Sequence, residues 1–212
     1  MYIIVDMRAQ GAIAAPNKHQ QRTEVTRQKL LGAALRVFAR DGFEASRIED
    51  IAAEAGHSRG AFYANFNTKE DLFLALLEQQ ASKRIGELQA AIAGIDNRKQ
   101  RLIKMRQFYL GSATNRQWAM LTLEFKLYAL RHSRKRARLA AAHQRIRESL
   151  HLELMSHLND SYLGRELKEN AIKVLLEVLL TGLVLEHSYD PKRVPAEELT
   201  NLLGRMFDFL TE

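Results

Sequence analysis

The chain has 212 residues, 46% of them hydrophobic and 27% charged, and it contains no cysteine. That length supports one or two domains with cores of their own, and the missing cysteine excludes a disulfide scaffold, a zinc ribbon, an iron–sulfur cluster and a thiol nucleophile. The formal charge of +7 points to a polyanionic partner, nucleic acid first and anionic membrane second, without saying where the charge lies.

Residues 1–22 read as a tail, rich in Ala, Gln and Gly, with Pro16 and no periodicity. Met7 is an alternative start. The opening MYIIVDMRAQ does not make a secretory signal, because its apolar run is only Tyr2–Val5 and no basic region precedes it. No stretch approaches the roughly 18 apolar residues of a membrane span, so a cytoplasmic protein with no membrane partner is expected. Prolines occur only at 16, 191 and 195. A proline inside a helix costs about 3 kcal/mol, so the long proline-free interval is what an all-α protein shows.

Helical stripes follow one another from there. Leu31, Ala34, Leu35 and Phe38 predict a helix from about Glu24 to Arg40, ended by Asp41-Gly42. Ser46-Arg47-Ile48-Glu49 has the capping-box spacing and predicts the start of a second helix with Ile48, Ile51, Ala52 and Ala55 on its buried face. Gly56 stops it, and Ser58 can cap a short third helix from Arg59 to about Asn65. Thr68-Lys69-Glu70-Asp71 opens a fourth helix to about Leu88. Longer helices are expected at about 98–112, 116–131, 135–158 and 164–187, and Pro195 suits the first turn of a last one. The expected division is a tail over 1–22, a three-helix helix-turn-helix domain over 23–85, and a larger helical domain over 86–212.

The informative segment is IEDIAAEAGHSRGAFYANFNTKED, residues 48–71. Two helices joined by a short turn at Gly56 have helix-turn-helix spacing. Small residues, Ala52, Ala55 and Ala61, let the helices cross closely. Phe62 and Phe66 anchor the second helix, while Ser58, Arg59, Gly60, Tyr63, Ala64 and Asn65 lie on its exposed face, sized for a DNA major groove. The ordered run AALRVFARDGFEASRIEDIAAEAGHSRGAFYANFNTKEDLF resembles the DNA-binding domain of the TetR/AcrR family of transcriptional regulators. The resemblance implies phosphate contacts from Ser46 and Arg47 and from Lys69, a recognition helix opened by Ser58, Arg59 and Gly60, and a backbone contact by Tyr63. His57 and Ala64-Asn65 depart from the family pattern and leave the operator sequence open.

In that family the larger domain dimerises and binds a small effector, so the resemblance implies a double-stranded DNA operator, a homodimer and an unidentified small molecule. The apolar density agrees. Leu175, Val178, Leu179, Gly182 and Leu183, with Leu199, Leu202, Leu203, Met206 and Phe207, are too apolar for solvent-facing helices and are candidates for the dimer interface. Candidate effector residues are Tyr109, Trp118, Phe125, Tyr128, His143, Arg147 and His187, aromatic and polar groups on apolar faces. Taken singly, each of them is more simply read as a core residue. Glu124 is expected to make an internal ion pair or cap, with Arg131 as one partner. His143, His151 and His157 are spaced too irregularly for one metal. No catalytic constellation, cofactor loop or metal site is expected, and the function predicted is a sequence-specific regulator, most simply a repressor. The rivals are a helical ligand-sensing dimer that acts through protein partners and a helical enzyme.

Residues 1–80 hold equal numbers of basic and acidic side chains, so the whole excess of +7 lies in residues 81–212. Its densest cluster is Arg131, Arg134, Lys135, Arg136, Arg138, Arg145 and Arg147. A solvated face is the simpler reading of that cluster, and attraction of an anionic effector the sharper one.

Overall fold

The computed structural model describes residues 17–112, 115–158 and 169–211. Among them the regular structure is all helical: α1 (Lys18–Asp41), α2 (Ile48–Glu54), α3 (Arg59–Tyr63), α4 (Lys69–Ile92), α5 (Arg98–Ser112), α6 (Arg116–Arg131), α7 (Ser133–Leu158), α8 (Glu169–Tyr189) and α9 (Ala196–Thr211).

The first helix begins earlier than its apolar stripe. Asn17 accepts from the Gln20 N–H at 2.8 Å, and the Gln20 side chain accepts from the Asn17 N–H at 2.9 Å. This closed capping box starts α1 inside the segment expected to be a tail. Residues 20–25 are exposed, so the added turns bury no stripe that periodicity could register. Gly42 ends α1 with φ 80° and donates its N–H to the Phe38 carbonyl at 2.9 Å.

The expected capping box at Ser46–Glu49 does not form. Arg47 is the N-cap of α2 and makes no side-chain cap. Ser46 is buried, and its hydroxyl donates to the Phe43 carbonyl at 2.8 Å, satisfying a group of the preceding turn instead of a helix N–H. The other two caps form as the spacing predicts, with Ser58 accepting from Ala61 N–H at 3.2 Å and Thr68 from Asp71 N–H at 3.1 Å. The later helices differ at their ends. α7 begins at Ser133 and α8 runs to Tyr189, while the start expected for α8 near Gly164 lies outside the described residues.

One aromatic cluster ties the front of the molecule to the rest. Phe73 of α4 stacks on Phe125 of α6 with ring centroids 4.5 Å apart. Phe43, in the turn after α1, meets Phe73, Phe125 and Tyr128 edge-on at 5.0–5.4 Å. Such pairs contribute about 0.5–1.5 kcal/mol each beyond area burial. The first half of α4 packs with α1 in this cluster, and its second half places Leu88 and Ile92 with Met105 and Phe207. The helix therefore runs unbroken through the division expected near residue 85.

Candidate nucleic-acid interface and ligand cavity

The helix-turn-helix presents one face and anchors the other. Phe62 is fully buried and Phe66 nearly so, with Ile51 and Ala52 beneath them. On the outer face Ser58, Arg59, Gly60, Tyr63 and Ala64 are exposed, Tyr63 at 45% despite its size. The Arg59 guanidinium lies 3.1 Å from Glu49 and 5.5 Å from the Tyr63 ring centre. Arg47 is likewise exposed, 3.9 Å from Glu49.

Three residues expected at the DNA also make contacts within the chain. Ser46 is held by the Phe43 carbonyl, as described. The Lys69 ammonium donates to the carbonyls of Glu44 at 2.9 Å and Ser46 at 2.8 Å, and sits 4.9 Å over the Phe43 ring. Burial lowers its pKa. It ties down the turn between α1 and α2, whose carbonyls lie outside any helix and need donors. The Asn65 side-chain amide donates to the Ala61 carbonyl at 2.8 Å, which ties one of its two N–H donors to its own helix.

Behind this face, acids of the front segment meet bases of α6 and α7. Glu70 is buried and accepts from the Tyr128 hydroxyl at 2.5 Å and the Lys135 ammonium at 2.6 Å. Burial alone would raise its carboxyl. The hydrogen bonds from Lys135 and Tyr128 outweigh that and hold it at about 2. Arg131 reaches Glu44 at 2.8 Å and Arg138 reaches Asp71 at 3.3 Å. Glu124 accepts from the Phe43 N–H at 2.6 Å. It is thus a cap, as expected, but of the turn after α1, and Arg131 is not its partner. Four members of the basic cluster bind acids through ion pairs, counting Arg147 with Glu177, and Arg134, Arg136 and Arg145 are exposed.

A cavity of about 420 Å³ opens between α4, α5, α6, α7 and α8. Tyr109, Trp118, His143 and Arg147, four of the seven candidate effector residues, line it. The other three candidates lie elsewhere. Phe125 is in the aromatic core, Tyr128 is bonded to Glu70, and the His187 Nδ1 is 2.8 Å from the Val194 carbonyl, bracing the turn into α9. Arg84, Phe108 and Glu177 line the cavity and were missed. A signal existed for two of them: Arg84 interrupts the stripe Leu77, Ala81, Leu88, and Glu177 interrupts the apolar run of α8. Glu177 holds both Lys126 and Arg147. Burial first, then Arg147 and Lys126, push the His143 imidazole down to about 4, so it is neutral at pH 7.

The apolar stripe of α8 faces outward. Val174, Leu175, Val178 and Leu179 are exposed, Val178 at 62%, with Leu202 and Phe209 of α9. Gly182 and Leu183 are half-buried beside them. Leu199, Leu203 and Phe207 are buried within the subunit, and Met206 is packed against the cluster of Leu88, Ile92, Met105 and Phe207. These four α9 residues, expected at an interface, instead form the inner face of an amphipathic helix. Among the described residues no helix is long and apolar enough to cross a membrane.

Comparison with known proteins agrees with this anatomy. Residues 30–76 match the family of bacterial regulatory proteins called tetR, and residues 98–211 match the C-terminal domain of BetI-type transcriptional repressors. The transcriptional repressor AcnR of Corynebacterium diphtheriae is 29% identical over 189 residues, 88% of this chain and 90% of that one. The transcriptional regulator AcrR of Shigella flexneri is 42% identical over 72 residues, about a third of each chain. Among solved structures, a regulator from Saccharomonospora viridis in complex with choline aligns with TM-score 0.67 at 18% identity, covering 87% of this chain and 96% of that one. The regulator FadR of Bacillus subtilis, in complex with stearoyl-CoA, aligns with TM-score 0.59 at 19% identity, covering 87% and 97%. At such identities the two structures share the fold.

Proposed function

The chain belongs to the TetR family of bacterial regulatory proteins, and from that premise we propose that it works as a homodimeric repressor, released from its operator by a small molecule held in the cavity behind α4. The observation that carries the DNA-binding face is α3 itself: Phe62 is locked in the core while Arg59, Gly60, Tyr63 and Ala64 stand exposed on one side. A helix displayed this way fits one major groove. A symmetric pair fits two half-sites of a near-palindrome about 34–36 Å apart or a multiple of that. The exposed stripe on α8 supports the pairing, because an apolar patch of that kind marks an interface.

Release needs a link between cavity and groove. The helix α4 supplies it: Ala81, Arg84 and Leu88 line the cavity, while Lys69 and Glu70 at its start hold the turn before α2 and the α6–α7 junction. A ligand that favours a shifted α4 changes the spacing of the two α3 helices. Coupling of about 1–3 kcal/mol weakens the operator complex about 5–150-fold, provided the ligand binds the two states with different affinity.

Retention of a duplex from upstream of the protein's own gene, across a salt series and against unrelated competitor DNA, tests the reading. Retention that survives competitor and weakens with salt is expected. Equal binding to both duplexes would discard it.

A further inference from the structure

The cavity carries a charge pattern that narrows the class of its ligand, an inference that rests on the effector reading above. Two guanidiniums face the space, Arg84 from α4 and Arg147 from α7. Arg84 is half-buried and lies 5.9 Å from the Phe108 ring centre. A guanidinium is a planar fork that matches a carboxylate through two parallel hydrogen bonds, and burial strengthens that match.

The acidic groups around the space do not offer the same welcome to a cation. Glu177, the acid on the α8 wall, already holds Lys126 through one oxygen and Arg147 through the other. Glu87 is at the exposed edge, 3.8 Å from Lys83. A cationic ligand would meet two guanidiniums and a carboxylate already shared between two cations, and like charge in a partly desolvated space is costly. The neutral His143 imidazole adds a hydrogen-bonding group without charge. Phe108, Tyr109 and Trp118 supply aromatic wall, and Leu77, Leu88 and Leu180 aliphatic wall, so the rest of the ligand is apolar.

We propose that the effector is a small organic acid whose carboxylate is drawn to Arg84, with Arg147 of the Arg147–Glu177 pair adding positive charge beside it, while its aromatic or alkyl body lies against Phe108, Tyr109 and Trp118. A cavity of about 420 Å³ is in the size range that encloses such molecules.

Trp118 is the sole tryptophan of the chain and stands in the cavity wall, so its emission reports occupancy without DNA. The full chain is titrated with phenylacetate and octanoate, their neutral amides, and the cations phenethylamine and choline. Saturable emission changes are expected for an acid with Kd below about 1 mM, and binding at least about tenfold weaker for its amide and for both cations. Arg84→Gln weakens the acid at least about tenfold, and Arg84→Lys, which keeps the charge and loses the fork, falls between. Helical circular dichroism checks that both variants fold, and the ligand series on the unaltered chain needs no variant at all. A cation or amide that binds as tightly as the matched acid overturns the proposal. So does a complete lack of response to the acids, or an Arg84→Gln variant that folds and binds them like the parent. A cation that saturates the signal while the acids do not would leave the effector cavity standing and sink only the acid. Operator retention is judged separately, with no ligand present.

Discussion

Single residues of the helix-turn-helix divide into those that touch the solvent face and those that hold it, and the division predicts opposite phenotypes. Tyr63 and Arg59 are exposed, and their contacts are with each other, with Glu49 and with the edge of Phe62. Tyr63→Ala and Arg59→Ala should therefore leave the melting temperature within about 2 °C, since surface changes stay within about 0.5 kcal/mol. Each should weaken operator retention by about tenfold, the cost of a lost contact of about 1–3 kcal/mol. Lys69 is the converse. Its ammonium satisfies the carbonyls of Glu44 and Ser46, so Lys69→Ala strands the partly buried Ser46 acceptor and should cost about 1–3 kcal/mol of stability. Its loss of DNA binding should then follow unfolding of the turn and recover when the variant is assayed well below its melting point. Thermal melts alongside gel retardation separate the cases. A Lys69→Ala protein that melts like the parent yet fails to bind would return Lys69 to the phosphate. Sequence alone could not sort Lys69 from Arg59, because both are basic residues beside a helix start. Only the position of unpaired carbonyls distinguishes them.

At the scale of elements, α4 is joined to α6 and α7 by Glu70, Tyr128 and Lys135, and this junction is sensitive to acid. The Glu70 carboxyl is held at about 2 against an ordinary 4.5. A group depressed in the folded state stabilises above its ordinary pKa, and the contribution is lost as pH falls through the folded value. The Glu70 share is therefore complete above about pH 4.5 and disappears towards pH 2. His143 is depressed from 6.5 to about 4, so its share falls in a higher window, between those two values. Denaturant midpoints measured from pH 7 to pH 2 should show both losses. Glu70→Gln should lower stability at pH 7 and flatten the lower window while leaving the upper one. An unchanged profile below pH 4 would mean that Glu70 is not held by its two donors. Most helices were legible because each carries its own punctuation: Gly42, Gly56, Ser58, Thr68 and Pro195 mark ends whatever packs around them. The start of α1 was not, because an exposed turn buries no stripe, and the junction was not, because partners 58 and 65 residues apart leave no local trace.

For the whole molecule, the basic excess that first pointed to DNA lies behind the proposed DNA-binding face, and Arg131, Lys135 and Arg138 bind acids of the front segment. In the proposed dimer, affinity for DNA then comes from a few contacts repeated by symmetry. Composition flagged the partner class but not the surface that meets it. Periodicity flagged the apolar character of α8 and α9 but not which face each turns outward, since one apolar stripe serves a core and an interface equally. The structure separates them: Leu199, Leu203 and Phe207 are buried in the subunit, whereas Val174, Leu175, Val178 and Leu179 are left open. If these four form the pairing surface, a charge placed among them meets its own copy across a two-fold axis. Val178→Glu buries two carboxylates in apolar surroundings and should yield monomers by sedimentation or light scattering, while circular dichroism keeps its helical signal because Val178 is 62% exposed within one subunit. Loss of pairing turns one bivalent contact into two independent ones, so affinity for the full palindrome should drop by at least about a hundredfold. Binding to an isolated half-site should stay the same, which distinguishes lost pairing from damage to α3. Leu203→Glu, on the buried face, should instead lower the melting temperature, by the several kcal/mol of an unpaired charge in a core. A Val178→Glu protein that remains a dimer and keeps its palindrome would move the interface away from this stripe.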